Sequence, residues 1–236
     1  MRRVLLVATI LLAPLPARAQ LSPFQAAKAE ALLHTHLPCL GCHRLDGEGG
    51  RVGPDLSAVG TRRSAEYIRA MLLDPAGRVP GSIMPRVPLD GARVELLVAY
   101  LSGRKGASTS GAEGRAAWGP LRPAPRAPRA GPGGRAPSLI YASYCTPCHG
   151  EKGSGHGYNA PYLPDPPGPQ TDAELMGKRS DDMLFDVIFV GGYAYGRPAR
   201  MPPWGQTLSA AEIRGLVGYI RALCRCRGPQ WSGGGR

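Results

Sequence analysis

The sequence predicts an all-α chain in which two small helical domains of the same kind are joined by a linker rich in Pro, Gly and Arg. Three observations carry this. A Cys-x-x-Cys-His pentapeptide occurs twice, at Cys39–His43 and Cys145–His149. Two apolar stretches, "RVELLVAYL" (93–101) and "EIRGLVGYI" (212–220), follow the pentapeptides and align at a constant offset, Leu97 with Leu216 and Val98 with Val217, on one helical face. Between the two units, 103–137 has almost no apolar periodicity, and its prolines and glycines forbid a long helix.

The remaining elements follow from local signals. Pro23–His36 and Leu139–Tyr144 each run as a potential helix into a pentapeptide. Ser64 caps a helix that stops before Pro75, and Ser180 caps one that ends at Gly191, with Asp181 and Asp182 favourably placed at its positive end. In that second helix Val187, Ile188 and Val190 also suit a short strand, but the spacing of Met183, Leu184, Val187 and Ile188 favours helix. Asp90 is the N-cap of the first closing helix, and Ser209 with Glu212 forms a capping box for the second. No alternating hairpin pattern is evident. The expected division is a signal peptide at 1–19, a first domain at 20–102, a flexible basic linker at 103–137 and a second domain at 138–236. A flexible linker of that length spans on the order of 30–35 Å, which lets the modules move independently.

The signal is read from Arg2 and Arg3, the apolar run Val4–Leu12 and the small-x-small site Ala17-Arg18-Ala19. The run is short for a membrane span, so an exported, periplasmic protein is expected, with an uncleaved anchor the less favoured reading. The net charge of +12 invites a nucleic-acid reading, but its distribution argues against one. Segment 103–137 holds seven Arg or Lys against Glu113, residues 1–19 hold three more, and the two domains are nearly neutral. A nucleic-acid binder concentrates its basic residues on a folded face. No nucleic-acid partner is expected. The basic linker offers peripheral contact with acidic lipids, although a solvated spacer is the favoured reading.

Cys-x-x-Cys-His is the attachment signature of c-type haem: two thiols one turn apart meet two vinyl groups, and the next residue ligates the iron. Zinc knuckles lie about 15–20 residues apart, whereas 102 residues separate Cys42 from Cys145. A thioredoxin-like dithiol needs a βαβ context that is absent. The spacing therefore favours haem, attached at Cys39, Cys42, Cys145 and Cys148, with His43 and His149 as iron ligands.

A second axial ligand is expected downstream. Met84 in "GSIMPRV" and Met201 in "ARMPPWG" each precede proline in a loop just before the closing helix, where core packing alone has no use for Met-Pro. Met71, Met176 and Met183 sit on apolar helical faces and suit packing instead. Of the other histidines, His34 and His36 precede the first attachment site, and His156 sits in a glycine-rich loop. Pro54 in "GPDL", eleven residues after His43, and Pro161 in "APYL", twelve after His149, place backbone carbonyls where each could accept the histidine Nδ1 proton.

Taken together, Cys39–His43, "GPDL", "IMP" and "LVAYL", and again Cys145–His149, "APYL", "MPPWG" and "LVGYI", resemble a class I cytochrome c present twice. The resemblance covers all but signal and linker. It implies a helical fold around each haem, with first and last helices crossing, and electron carriage without substrate chemistry. Two features depart from the pattern. The linker is long, and the second unit carries 11 extra residues between His149 and Met201, rich in proline.

The function expected is a periplasmic carrier with two covalently bound haem c groups. It would take electrons from a membrane quinol-oxidising complex or a periplasmic dehydrogenase and deliver them to a terminal oxidase or reductase. The rival is a haem-containing oxidoreductase or a cytochrome subunit of a periplasmic dehydrogenase. Its open axial position is not what two methionines suggest. A haem-based redox sensor lacks an accompanying signalling domain. With two propionates per haem each domain is close to neutral, so strong electrostatic steering is not expected. Cys224 and Cys226 fall outside the haem logic, and a local disulfide, an intermolecular one and two free thiols all remain open.

Overall fold

In the computed structural model, residues 21–106, 126–128, 134–196 and 200–229 are described. The signal peptide expected at 1–19 and most of the expected linker lie outside them. The described chain is largely helical, and its buried side chains form two cores, one in each half.

The first half opens with α1 (Pro23–Ala31). Ser22 accepts from the Gln25 amide while the Gln25 side chain accepts from the Ser22 amide, and Pro23 at the first helical position gives up no hydrogen bond. The helix runs into a π-helical turn at Leu32–His36, which ends where Leu37 becomes extended ahead of Pro38. The second half repeats this. Helix α7 (Pro137–Ile140) passes into a π-helical turn at Tyr141–Cys145 and then into α8 (Thr146–His149). A π turn rotates every later side chain relative to the helix before it; two residues separate the first from Cys39, and the second ends on Cys145 itself.

Between the first motif, α2 (Cys39–Cys42), and the closing helix lie α3 (Val59–Arg62), α4 (Ala65–Leu73) and α5 (Pro75–Arg78). The closing helix α6 (Gly91–Gly103) is capped by Asp90, which accepts from the Arg93 amide at 2.7 Å. It buries Val94, Leu97 and Leu101 against Leu33, Leu40 and Leu45. In the second half, α9 (Ala173–Gly177) and α10 (Asp181–Val190) precede α11 (Ala210–Cys224). Helix α11 carries the Ser209/Glu212 capping box and buries Ile213, Leu216 and Ile220 against Ile140 and Tyr141. First and last helices touch in both halves, α1 with α6 and α7 with α11.

Several expectations change. Arg44–Leu45 (β1) and Glu48–Gly49 (β2) form a small antiparallel hairpin right after the first motif. Asp46 (φ 50) and Gly47 (φ 96) supply the two left-handed residues that such a two-residue turn requires. Its strands are too short to show alternation, so only the Asp-Gly pair signalled it. Asp181–Val190 is helix, as the spacing of its apolar residues favoured. Met183, expected to pack, is exposed, whereas Met176 is buried.

The largest change concerns the relation between halves. Ile83 of the first half packs against the second core, the Arg86 amide donates to Thr207 Oγ1 at 3.1 Å, and His36 Nδ1 lies 3.2 Å from the Tyr193 hydroxyl. The last expected linker residues also join the second half: Arg135 pairs with Glu212 and donates to the Tyr144 hydroxyl and the Thr207 carbonyl. Independent movement, expected from linker length, gives way to a shared interface. Among the described residues no helix is long and apolar enough to cross a membrane.

Candidate haem-attachment sites

The first attachment motif is a single helical turn, and the second runs from the end of a π turn at Cys145 into α8. In α2 the His43 amide bonds to the Cys39 carbonyl at 2.9 Å, and His43 then leaves the helix in extended conformation, which turns its ring away from the thiols' turn. In α8 the turn includes His149 and stops at Gly150, whose φ is 79°. Cysteines three apart lie on adjacent positions of one turn, as attachment to one edge of a macrocycle demands.

The four motif cysteines are free thiols, whereas Cys224 and Cys226 are joined in a disulfide. The disulfide answers the question left open by sequence. Helix α11 ends at Cys224, Arg225 turns left-handed (φ 51), and Cys226 folds back onto Cys224. A continuing helix would keep the two apart.

Burial dominates the chemistry of the motif thiols. It pushes Cys39 up to about 11, with a backbone hydrogen bond and Arg200 only partly opposing it, and Cys145 up to about 12. Cys42 is raised by burial and then by the neighbouring Cys148 and Cys39. Cys148 is raised by burial, partly offset by a hydrogen bond from Asn159. The two motifs meet in space, where Asn159 Nδ2 lies 2.8 Å from the Gly41 carbonyl and 3.2 Å from Cys148 Sγ.

Both histidines are neutral imidazoles, the form that ligates a metal. Burial lowers His43, with Pro54 and Asp55 partly opposing it; burial lowers His149 to about 4. A carbonyl can only accept, so at 2.8 Å from Pro54 O the His43 Nδ1 carries the proton and Nε2 keeps its lone pair for iron. The loop presenting that carbonyl is held by Asp55. Its carboxylate accepts two bonds from Arg44, at 3.0 and 2.6 Å, and two from Ser57, at 2.8 and 2.6 Å. The buried Ser57 hydroxyl in turn accepts from the Asp46 amide. Burial pushes the Asp55 carboxyl up, but its bonds to Ser57 and Arg44 outweigh this and hold it below the usual range. Gly53 packs directly on the His43 ring, where a Cβ would fall 2.4 Å from Cε1. The sequence signalled Pro54 by its distance from His43; it did not signal the Arg44–Asp55–Ser57 support.

The second half differs. His149 Nδ1 is buried with no hydrogen-bond partner among the described residues, and the Pro161 carbonyl does not serve it. After Gly150 the chain loops back, with the Gly155 amide on the His149 carbonyl and the Asn159 amide on the Pro147 carbonyl. Pro161 is carried into a short 3₁₀ turn, Ala160–Tyr162. The residue aimed inward is Asn159, and nothing in the sequence distinguished it.

The methionine loops lie where the halves meet. Met201 lines a cleft of about 430 Å³ together with Leu32, His36 and Leu37 of the first half and Val190 and Tyr193 of the second. Met84 is half-buried, its amide on Ser82 Oγ, and follows Ile83, which packs into the second core. Beside Met201, Arg200 has its Nη1 buried with no acceptor among the described residues. Free thiols in pairs, half-buried neutral imidazoles, an orphaned Nδ1 and an unmatched buried guanidinium N–H, able to meet a propionate, all fit a c-type haem.

No solved structure matches the chain. Residues 133–220 match the family model described as cytochrome c oxidase, cbb3-type, subunit III. The match includes Cys145–His149 and Met201, and it begins just before Arg135, where the second core starts. The match indicates a c-type cytochrome domain over residues 133–220 and supports a haem-based electron-transfer role for it.

Proposed function

We propose that the chain is a periplasmic dihaem cytochrome c that passes single electrons between a quinol-oxidising complex or dehydrogenase and a terminal oxidase or reductase. When bound, haem iron supplies reversible one-electron chemistry. The chain's residues supply the rest. Cys39 and Cys42 would hold one group and Cys145 and Cys148 the other. His43 and His149 offer Nε2, and Met84 and Met201 offer thioethers that favour the ferrous state.

The observation that carries this reading is the first pentapeptide. It lies outside the matched residues, yet His43 is a half-buried neutral imidazole whose tautomer is set by Pro54 O at 2.8 Å. The first half thus supports a second centre of the same kind. The matched family's description names an oxidase subunit, which supports a terminal oxidase as the acceptor. Export rests on Arg2, Arg3, Val4–Leu12 and Ala17–Ala19.

The test is a spectroelectrochemical titration of the purified holoprotein, with haem counted per chain. The reading requires two haems and a methionine-to-iron charge-transfer band at two-haem amplitude. Half that amplitude, with ligand binding to reduced iron, would favour the oxidoreductase. A protein of bare polypeptide mass after expression with haem-attachment machinery would overturn the reading.

A further inference from the structure

Asn159 is completely buried, and its amide makes three hydrogen bonds, two to the first half and one within the second. Nδ2 donates to the Gly41 carbonyl at 2.8 Å and to Cys148 Sγ at 3.2 Å, while Oδ1 accepts from the Arg51 amide at 2.6 Å. Gly41 lies inside the first pentapeptide and Cys148 inside the second. One side chain therefore ties together two attachment motifs that are remote in sequence. A thioether sulfur retains acceptor lone pairs, so the bond to Cys148 is compatible with haem attachment.

The surrounding fit leaves little slack. A Cβ on Gly41 would fall 2.2 Å from the Arg200 carbonyl oxygen of the second half. One on Gly50 would fall 2.4 Å from the Gly41 carbonyl oxygen and 2.8 Å from Asn159 Oδ1. The Arg51 guanidinium lies over the Tyr162 ring at 4.0 Å, extending the contact beyond Asn159. A buried amide with one donor and its acceptor committed to the opposing half is satisfied in one relative placement of the halves and loses those two bonds in others.

We propose that Asn159 is a positioning residue that clamps the two attachment turns against each other, so that the two centres behave as one coupled redox pair. This rests on the dihaem reading above. In such a pair one electron leaves one iron as the other gains it, with no bond made or broken and no proton required. The charge on either centre is felt by its neighbour, so reducing one lowers the potential of the other.

The test uses the holoprotein and Asn159→Leu, which is close in volume and keeps none of the three bonds. Haem per chain is counted first, and amide hydrogen exchange is then read alongside a redox titration. The clamp predicts that the Arg51 amide exchanges at least ~10-fold faster in Asn159→Leu. The parent should show two potentials that depend on each other, and the variant two that do not, at equal haem content and helicity. Gly41→Ala, which pries the same contact from the other side, should loosen Arg51 likewise, so a misfolded Asn159→Leu does not end the test. Unchanged Arg51 protection in both variants, or unaltered mutual dependence of the potentials, overturns the clamp. One haem per chain instead overturns the dihaem reading and the coupling with it, while the exchange data still decide the clamp.

Discussion

His43 and His149 sit at equivalent places in two matching motifs, yet they are held differently. The Nδ1 of His43 donates to the Pro54 carbonyl at 2.8 Å, whereas the Nδ1 of His149 is buried without a partner among the described residues. A hydrogen bond at Nδ1 makes an imidazole a stronger donor to metal and favours the higher oxidation state. With haem bound at both motifs, as proposed, the centre at His43 should have the lower potential for its ligand set.

Gly53→Ala tests that difference. The added methyl overlaps the His43 ring, 2.4 Å from Cε1, and the ring must move away from Pro54. A redox titration of the holoprotein should show the lower potential rising while the other stays in place. Thermal or denaturant unfolding should show a cost of about 1–3 kcal/mol, the usual range for overpacking.

Acid should weaken the second half first at Glu212. Its hydrogen bonds to Arg135, opposed by burial and aided by the Ser209 amide, bring the carboxyl down to about 2 from an ordinary 4.5. A carboxylate depressed on folding stabilises the protein above its unfolded pKa, and that contribution is lost as pH falls from about 4.5 towards 2. Glu212→Gln should cost on the order of 2–3 kcal/mol at neutral pH and flatten the stability profile within that window. Urea denaturation of parent and variant at several pH values checks this, and parallel profiles would contradict it.

Arg221 is the anchor of the last helix. Its guanidinium donates to Asp181 Oδ1 at 2.8 Å, to the Met176 carbonyl at 2.8 Å and to the Arg179 carbonyl at 2.6 Å. Arg221→Ala leaves two carbonyls and a carboxylate without their donor and should destabilise by about 2–4 kcal/mol. Arg221→Lys should recover less than half, because an ammonium cannot reproduce the planar fork. Chemical denaturation followed by circular dichroism measures both.

Much of the fold was legible because its signals are local. Ser64, Asp90, Ser180 and Ser209 cap helices with an oxygen that meets an amide three residues on, so the pattern is complete within four residues. The recurring apolar face of α6 and α11 announced both cores for the same reason. The hairpin at Arg44–Gly49 escaped notice since two-residue strands have no period. The π turns leading into both motifs escaped because their cause is packing rather than composition.

The sequence by itself determined the chemistry: pairs of thiols followed by histidine, at a spacing that only neighbouring residues on one turn are needed to produce. Tertiary structure alone decided how that chemistry is arranged. It gave His43 a partner in Pro54 and denied one to His149, drew Arg135 out of the linker, and set Asn159 between the motifs. Those outcomes depend on which buried polar groups find each other across the folded chain, and residues 118 apart leave no mark of that in their order.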